Sequence, residues 1–430
     1  MLTDAYDATH NPDGYINLNA AQNTLQQAEL LDFLSSRFTL KDVDFTFGDD
    51  FSGSQRLLKA LARFVNKQFD PIKQVTQEDI VVGSGCGPIS EQLLHFIADQ
   101  GDGVLIPVPY FPGYTGDLML RNGLKPVAVP VKLEDHFSAT TIPLFEAALK
   151  QAEADGTPIR AVILCNPHNP LGQCYPKETI LAYARFCEEH DLHLVCDEIF
   201  AFSIFPSDDV PNASPFVSAL SLDLQKEAGC NPSRVHVMYG FSKDFNANGL
   251  RAGALISPYN NDILTAVRAT SNYMKISGAT SVLWSLILED DAFWLQFLAE
   301  NRKRLAKAYR FATAWLKFQH IPYFPAYAGH FVSGKSLRPV EEDKGAARDA
   351  EMIRRLLAAK VFVGSAAAFA YPTPGWVRIT FAMRRDYLVV GLARLESVFE
   401  LPRYAGLDGE KAQGKNHVLE LGEVLEKTAL

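Results

Sequence analysis

The sequence predicts an α/β fold: a large domain with a mostly parallel central sheet flanked by helices, followed by a smaller α+β domain. Three observations predict it. Between about residues 79 and 258, short β-rich runs alternate with longer amphipathic segments. Those runs are apolar along both faces, as strands covered by helices on two sides must be. The chain has 430 residues, more than one hydrophobic core organises, so a second domain is expected.

Taken in order, "DIVVGSG" (79 to 85) is a strand running into a glycine turn, and "PISEQLLHFIAD" after it has helical periodicity. "GVLIPVPYF" (103 to 111) is followed by "GYTGDLMLRNG". Then come "KPVAVPV" (125 to 131), "IRAVILCNP" (159 to 167), "HLVCDEIF" (193 to 200), "RVHVMYGFS" (234 to 242) and "RAGALISP" (251 to 258). The large domain is expected over 55–285, with 1–54 an N-terminal arm that contributes to the smaller domain. The pattern of 290 to 318, "DDAFWLQFLAENRKRLAKAYRFATAWLKF", predicts a long helix joining the two. "HFVSG", "MIRRLLAAK", "WVRITFAM" and "YLVVGLARLESVFEL" then predict an α+β unit over 286–403, and 404–430 is a polar tail.

Composition excludes several functions. Apolar residues make up 47%, charged residues 21%, and the formal charge is -9. That balance is ordinary for a globular protein and leaves no electrostatic footprint for nucleic acid. The opening "MLTDAYDATHNPDGYINL" has no basic region followed by an apolar run, and no later run is long enough to span a bilayer. A cytoplasmic protein without membrane partners is expected. Six cysteines at 86, 165, 174, 187, 196 and 230 show no close pairing, so neither a zinc site nor a disulfide framework is indicated.

In open parallel sheets ligands bind outside the carboxyl ends of the strands, so the residues after each apolar run are where chemistry belongs. The first end, "GSGCG", offers Gly85, Cys86 and Gly87 directly before a helix, where backbone N–H groups can cradle an anion. The second carries Tyr110 and Phe111, then "PGY"; these rings suit core packing or a flat ligand. The fourth carries "NPHNPLG" with Asn169, readable as turn chemistry alone. The fifth carries Asp197, an acid among apolar neighbours that needs a cation or strong donor. "VMYGFSKDFNANGLRAGALIS" (237 to 257) adds Ser242, Lys243 and Arg251.

A phosphate cradle, an aromatic plate, an amide, a buried carboxylate, a lysine and an arginine are together the parts that hold pyridoxal 5'-phosphate, the lysine as its Schiff base and the carboxylate on its ring nitrogen. Over about residues 15 to 400 the sequence resembles the fold-type I pyridoxal-phosphate enzymes of the class I/II aminotransferase superfamily, and most of all the 1-aminocyclopropane-1-carboxylate synthase-like group. "SKDFNANGLRAG" resembles SKDxGLPGxRxG, which implies Lys243 as anchor and Arg251 on the phosphate. "NPHNPLG" resembles NPxNPxG, implying Asn169 on the phenolic oxygen; "DEIF" resembles DEIY, implying Asp197 on the ring nitrogen. "PVPYFPGY" resembles PTPYYPGF, implying that Phe111 stacks on the ring, and "PGWVRITFA" resembles PGWFRVCFAN, implying that Arg378 clamps the substrate α-carboxylate.

The sequence also departs from the family's pattern. Phe200 stands where the family has a tyrosine donating to the phenolic oxygen, and Phe51 where a tyrosine reaches the neighbouring subunit's phosphate. Gly240 replaces a serine three residues before the lysine, although Ser242 remains. "NAAQNTL" places Gln22 where the synthase group has a glutamate facing the substrate side chain. Losing that carboxylate removes a partner for a sulfonium or ammonium group. His330, in "AGHFVSG", stands where the family has an apolar residue near the substrate, and its ordinary pKa suits an acid-base group or a packed spectator equally.

The resemblance implies an enzyme acting on an α-amino acid through a quinonoid intermediate, by β/γ-elimination or replacement, in the manner of the synthase group or of carbon–sulfur lyases. The alternative is ordinary transamination, and a remote one is a non-catalytic cofactor-binding regulatory module. A homodimer with shared active sites is implied as well.

Overall fold

The computed structural model describes residues 2–335 and 345–408. The expected tail from 404 lies outside the described residues from 409 onward.

The chain first lays down a short strand, β1 (Ile16–Asn17), which later pairs in parallel with β11 (Val361–Phe362). The main sheet comes next: β2 (Ile80–Gly83), β3 (Gly103–Val108), β4 (Lys125–Pro130), β5 (Ile159–Cys165), β6 (His193–Asp197), β7 (Val235–Gly240) and β8 (Gly253–Ile256). Their order across the sheet is β2-β8-β7-β6-β5-β3-β4. Strand β8 is antiparallel to both its neighbours, and the other six run one way. The mostly parallel sheet expected from the sequence is therefore present, with one reversed strand.

Burial differs between the strands. Strands β2, β3, β7 and β8 are buried at every residue, whereas β4 is exposed or half-buried everywhere except Val129. The expectation of strands covered on both faces thus fails for the edge strand β4, although it holds for β2 at the other edge. Pro126 and Pro130 withhold donors there and discourage further pairing.

A second sheet, order β12-β13-β10-β9, is antiparallel and built from β9 (Tyr323–Phe324), β10 (Phe331–Lys335), β12 (Gly364–Ser365) and β13 (Trp376–Thr380). The helices Gly345–Ala358 and Arg385–Phe399 accompany it. The long helix Asp291–Phe318 serves both units. Its Trp294, Phe297 and Leu298 sit in the core of the large sheet, while Leu305, Tyr309, Trp315 and Leu316 sit in the core of the small one. Ile16 and Leu18 from the N-terminal arm join that second core.

The edge that matters for function is made by close backbone approach. The helix Cys86–Ile97 starts at Gly85 and comes down on β7 and β8 where both carry glycine. A methyl group on Gly253 would lie 2.6 Å from the Cys86 nitrogen, and one on Gly240 would lie 2.7 Å from the Cys86 sulfur. Gly240 and Cys86 are thus complementary in volume: the sulfur occupies the space that a serine at 240 would need.

That fit is testable by double substitution. Gly240→Ser alone should destabilise the protein by about 1–3 kcal/mol through overpacking, and Cys86→Ala in the same chain should recover at least half of the loss. Urea unfolding midpoints of the two variants check it. A Gly240→Ser protein as stable as the parent would show that the sulfur does not hold this space.

Candidate active site

Six strands of the main sheet end, and the reversed β8 begins, along one edge; all of these but β4 contribute to the site. The segments that leave or enter there border one cavity of about 240 Å³, with Gly87, Phe111, Asn169, Asp197, Lys243 and Arg251 on its wall. Because β8 runs backwards, its approach segment delivers Arg251 to the edge where the other strands deliver their carboxyl ends.

The anion cradle lies at the start of the helix Cys86–Ile97. First-turn amides of a helix have no partner within it and carry the positive end of its dipole. Gly85 has φ +121°, a conformation open to glycine, and its Cα is covered so closely by the Arg251 guanidinium that any side chain there would collide with it. Arg251 itself takes a left-handed φ of 39° and donates to the Asn248 carbonyl at 3.0 Å. Ser242 and Ser90 line the same wall, and the buried Ser90 hydroxyl has no partner among the described residues.

At the far side, Asp197 ends β6 almost fully buried. Its Oδ2 accepts from the Tyr114 hydroxyl at 2.6 Å and its Oδ1 from the Ile199 amide at 3.2 Å. Burial pushes the carboxyl's pKa up, while Tyr114, the Ile199 amide and the charge of Lys243 pull it down. Asp117, one turn beyond Tyr114, also borders the cavity; burial, then Asp197 and Glu91, push it to about 7. Phe111 leans edge-on against Tyr114 at 5.5 Å and folds over Gly113.

Lys243 lies in the single turn Phe241–Asp244 directly after β7, and its ammonium donates to the Ala21 carbonyl at 2.6 Å. Burial, then the nearby Arg378 and Arg251, lower its pKa to about 8. The next residue, Asp244, is fully buried and accepts from the Phe202 amide, the Ser203 hydroxyl and the Tyr239 hydroxyl. It pins the turn from which Lys243 projects.

Arg378, on β13, stands one residue behind the wall. It donates through Nη1 to Asn169 Oδ1 at 2.7 Å and through Nη2 to the Asn19 carbonyl, while its buried Nε has no partner among the described residues. The guanidinium is sandwiched between the rings of Phe331 (4.7 Å) and Phe369 (4.4 Å). These faces hold a cation that is shut off from water. With its oxygen tied to Arg378, the Asn169 amide turns its NH2 group away from that bond.

Three residues singled out in the sequence lie elsewhere. Ala21, not Gln22, reaches the cavity: with its carbonyl turned to Lys243, the Gln22 side chain enters a neighbouring cleft beside Asn23, Gln27 and Asn246. Phe51 is 40% exposed on the outer surface, stacked on Phe47 and under Lys275. His330 is packed behind Phe200, which meets it edge-on at 5.2 Å and itself lines the cavity. Ser203 donates to Asp244, so it accepts from His330, which puts the imidazole proton on Nε2. Burial, then Lys243 and Arg378, hold that ring neutral.

Sequence reading did not single out Tyr114, Asp117 or Ser90. For Tyr114 the signal was present: it lies in the "PGY" directly after Phe111, in the first turn of the helix Gly113–Met119 that opens at this strand end.

The donor set fits pyridoxal phosphate. Side-chain-free positions and an arginine form a cradle for a dianion, and a carboxylate held by two donors and an amine of depressed pKa line the same cavity.

The model of the family "Aminotransferase class I and II" matches residues 13–395. The probable aminotransferase gliI of Aspergillus fumigatus is 33% identical over 410 residues, covering 92% of this chain and 90% of the relative. A 1-aminocyclopropane-1-carboxylate synthase of Cucurbita pepo is 31% identical over 408 residues, covering 91% and 79%. Among solved structures, an aromatic aminotransferase from Pyrococcus horikoshii superposes with a TM-score of 0.72 at 24% identity, covering 90% of this chain and 95% of that one. An aspartate aminotransferase of Thermus thermophilus with maleate gives 0.71 at 21% identity, covering 89% and 91%. The chain belongs to the class I and II aminotransferase family and is a pyridoxal-phosphate-dependent enzyme.

Proposed function

We propose that the chain catalyses β/γ-elimination or replacement on an α-amino acid. One observation carries this reading. Of the cations at the cavity, Arg251 covers the cradle, Lys243 is the amine, and Arg378 is bound to Asn169. Among the described residues no further cation lines the cavity to meet a second carboxylate, and Asp117 on the wall opposes one. Glutamate, aspartate and their keto acids, common currency of transamination, are thereby poorly served by this chain. An amino acid with a neutral side chain that ends in a leaving group suits the space better. Transamination is the second reading, favoured by the names of the fungal relatives.

The positions of the residues support the following roles. Bound pyridoxal phosphate supplies an electron sink conjugated to the amino acid's α-carbon. Lys243 would be the anchoring amine, and as a free amine the base that takes the α-proton. Its depressed pKa leaves a usable fraction of free amine near neutrality. The unused Nε of Arg378 is a donor for the α-carboxylate, and Asn169, held by Arg378, turns its NH2 to the cofactor's phenolic oxygen. On the bound cofactor Asp197 would meet the ring nitrogen, Phe111 and Phe200 would border the ring, and Arg251 with Gly85, Cys86, Gly87 and Ser242 would hold the phosphate. The proximity of Arg378 to Lys243 means that neutralising the guanidinium with a carboxylate lets the lysine regain basicity as substrate binds.

Assembly belongs to the same reading. Phe45 (78% exposed), Phe47 (71%) and Tyr273 (75%) stand out with Phe51 on the surface. Apolar rings so far into solvent mark a contact face, and a second copy of this chain is its occupant, with the Phe51 segment reaching the partner's site.

The reaction is tested with purified holoenzyme and a panel of amino acids bearing β- or γ-leaving groups. Turnover should proceed with release of ammonia and the leaving fragment and without any added 2-oxo acid. Strict dependence on a 2-oxo acid acceptor would establish transamination instead. The anchor is tested by pH. Stripped apoprotein should capture pyridoxal phosphate covalently at a rate that rises through a midpoint of about 8, since Lys243 is protonated below it and a free amine above it. Lys243→Ala should show neither capture nor turnover, and a covalent adduct in that variant would place the anchor elsewhere. Light scattering should report a dimer, and Phe45→Ser with Phe47→Ser a monomer that loses cofactor faster; a fully active monomeric parent would refute the shared site.

A further inference from the structure

Tyr114 occupies the first turn of the helix Gly113–Met119, buried against Phe111 and Tyr110. Its hydroxyl meets Asp197 Oδ2 at 2.6 Å, within the range of an O–H···O bond to a charged acceptor. Both residues border the cavity. An ionised carboxylate offers about four acceptor positions, and the Tyr114 hydroxyl and the Ile199 amide take one each. Room remains on Asp197 for a donor inside the cavity. Tyr114 cannot exchange roles with its partner: burial and the charge of Asp197 both push the phenol's pKa far up, so it stays a donor.

We propose that Tyr114 is a positioning residue that sets the proton affinity of Asp197, and through it the fraction of bound pyridoxal phosphate whose ring nitrogen is protonated. The proposal rests on Asp197 facing the ring nitrogen. One proton is shared between that nitrogen and the carboxylate. A donor to the carboxylate stabilises its anionic form and so moves the proton to nitrogen, where its charge draws electrons out of the substrate's α-carbon. Removing the phenol leaves a desolvated carboxylate with the Ile199 amide alone, and the proton returns to oxygen. One hydrogen bond to a charged group changes such a partition roughly tenfold to a hundredfold.

Tyr114→Phe deletes one oxygen and keeps the ring that packs on Phe111, so the fold should hold. Wild type, Tyr114→Phe and Asp197→Asn are loaded with pyridoxal phosphate carrying nitrogen-15 in the ring. The wild-type resonance should lie at the protonated position. Tyr114→Phe should move it toward the unprotonated value and shift the pH midpoint of the visible absorption band upward, because an uncharged ring withdraws less. With substrate, kcat should fall tenfold or more while KM stays within a factor of two, since no substrate contact is lost. If Asp197→Asn leaves the resonance unmoved, Asp197 does not face the ring nitrogen. If Asp197→Asn moves it and Tyr114→Phe does not, the role given to Tyr114 is overturned while that of Asp197 stands.

Discussion

Everything at the cavity depends on how closely the helix Cys86–Ile97 is let down onto the sheet. Gly240 and Gly253 leave no side chain between them and the first turn, so the Cys86 sulfur and backbone rest directly on β7 and β8. That approach aims the helix's unpaired amides along the strand ends. It also fixes Gly85 beneath the Arg251 guanidinium, so cradle and arginine are one packed unit rather than two ligands brought together by a loop. The reversed direction of β8 is part of the same arrangement, because a parallel strand would have carried Arg251 to the opposite edge.

The second constraint is electrostatic. Lys243 and Arg378 approach a site whose acids Asp197 and Asp244 are buried, with Asp117 half-buried beside them. Charges this far from water must be met by fixed donors and acceptors. Asp244 has three donors and Asp197 two, and the Arg378 guanidinium rests between two ring faces. Two leftover groups are informative: among the described residues, the Nε of Arg378 and the hydroxyl of Ser90 are buried without partners. Buried polar atoms are seldom left unpaired unless something else completes them.

Much of the site was legible in the sequence, for a physical reason. Strand ends are the places where an α/β sheet presents chemistry, so the residues at the close of each apolar run already bring Asn169, Asp197, Lys243 and Arg251 into one group. Direction was not legible in the same way. Residue 22 lies beside residue 21, and one carbonyl turned toward Lys243 sends the Gln22 side chain to a different cleft. His330 was ambiguous because its surroundings come from Phe200, Ser203 and Asp244, more than eighty residues upstream. Its hydrogen bond to Ser203 makes it part of the support under the Lys243 turn. Tyr114 passed as one more aromatic because its partner is Asp197, on another strand. The edge position of β4 likewise depends on strand order, which no single run of residues encodes.

The two cores are tied together at the site itself. The long helix gives one end to each, and three polar contacts between the units lie near the cavity: Arg378 on Asn169, His330 on Ser203, and Ser333 on the Pro170 carbonyl at 3.0 Å. Ser333 and Arg378 face each other across β10 and β13, so the segment Asn169–Pro170 is held from both strands at once. Arg378 therefore couples the small sheet to the wall of the large one. Arg378 and Asn169 are consequently one mechanical unit: the guanidinium cannot turn without pulling on the Asn169 amide.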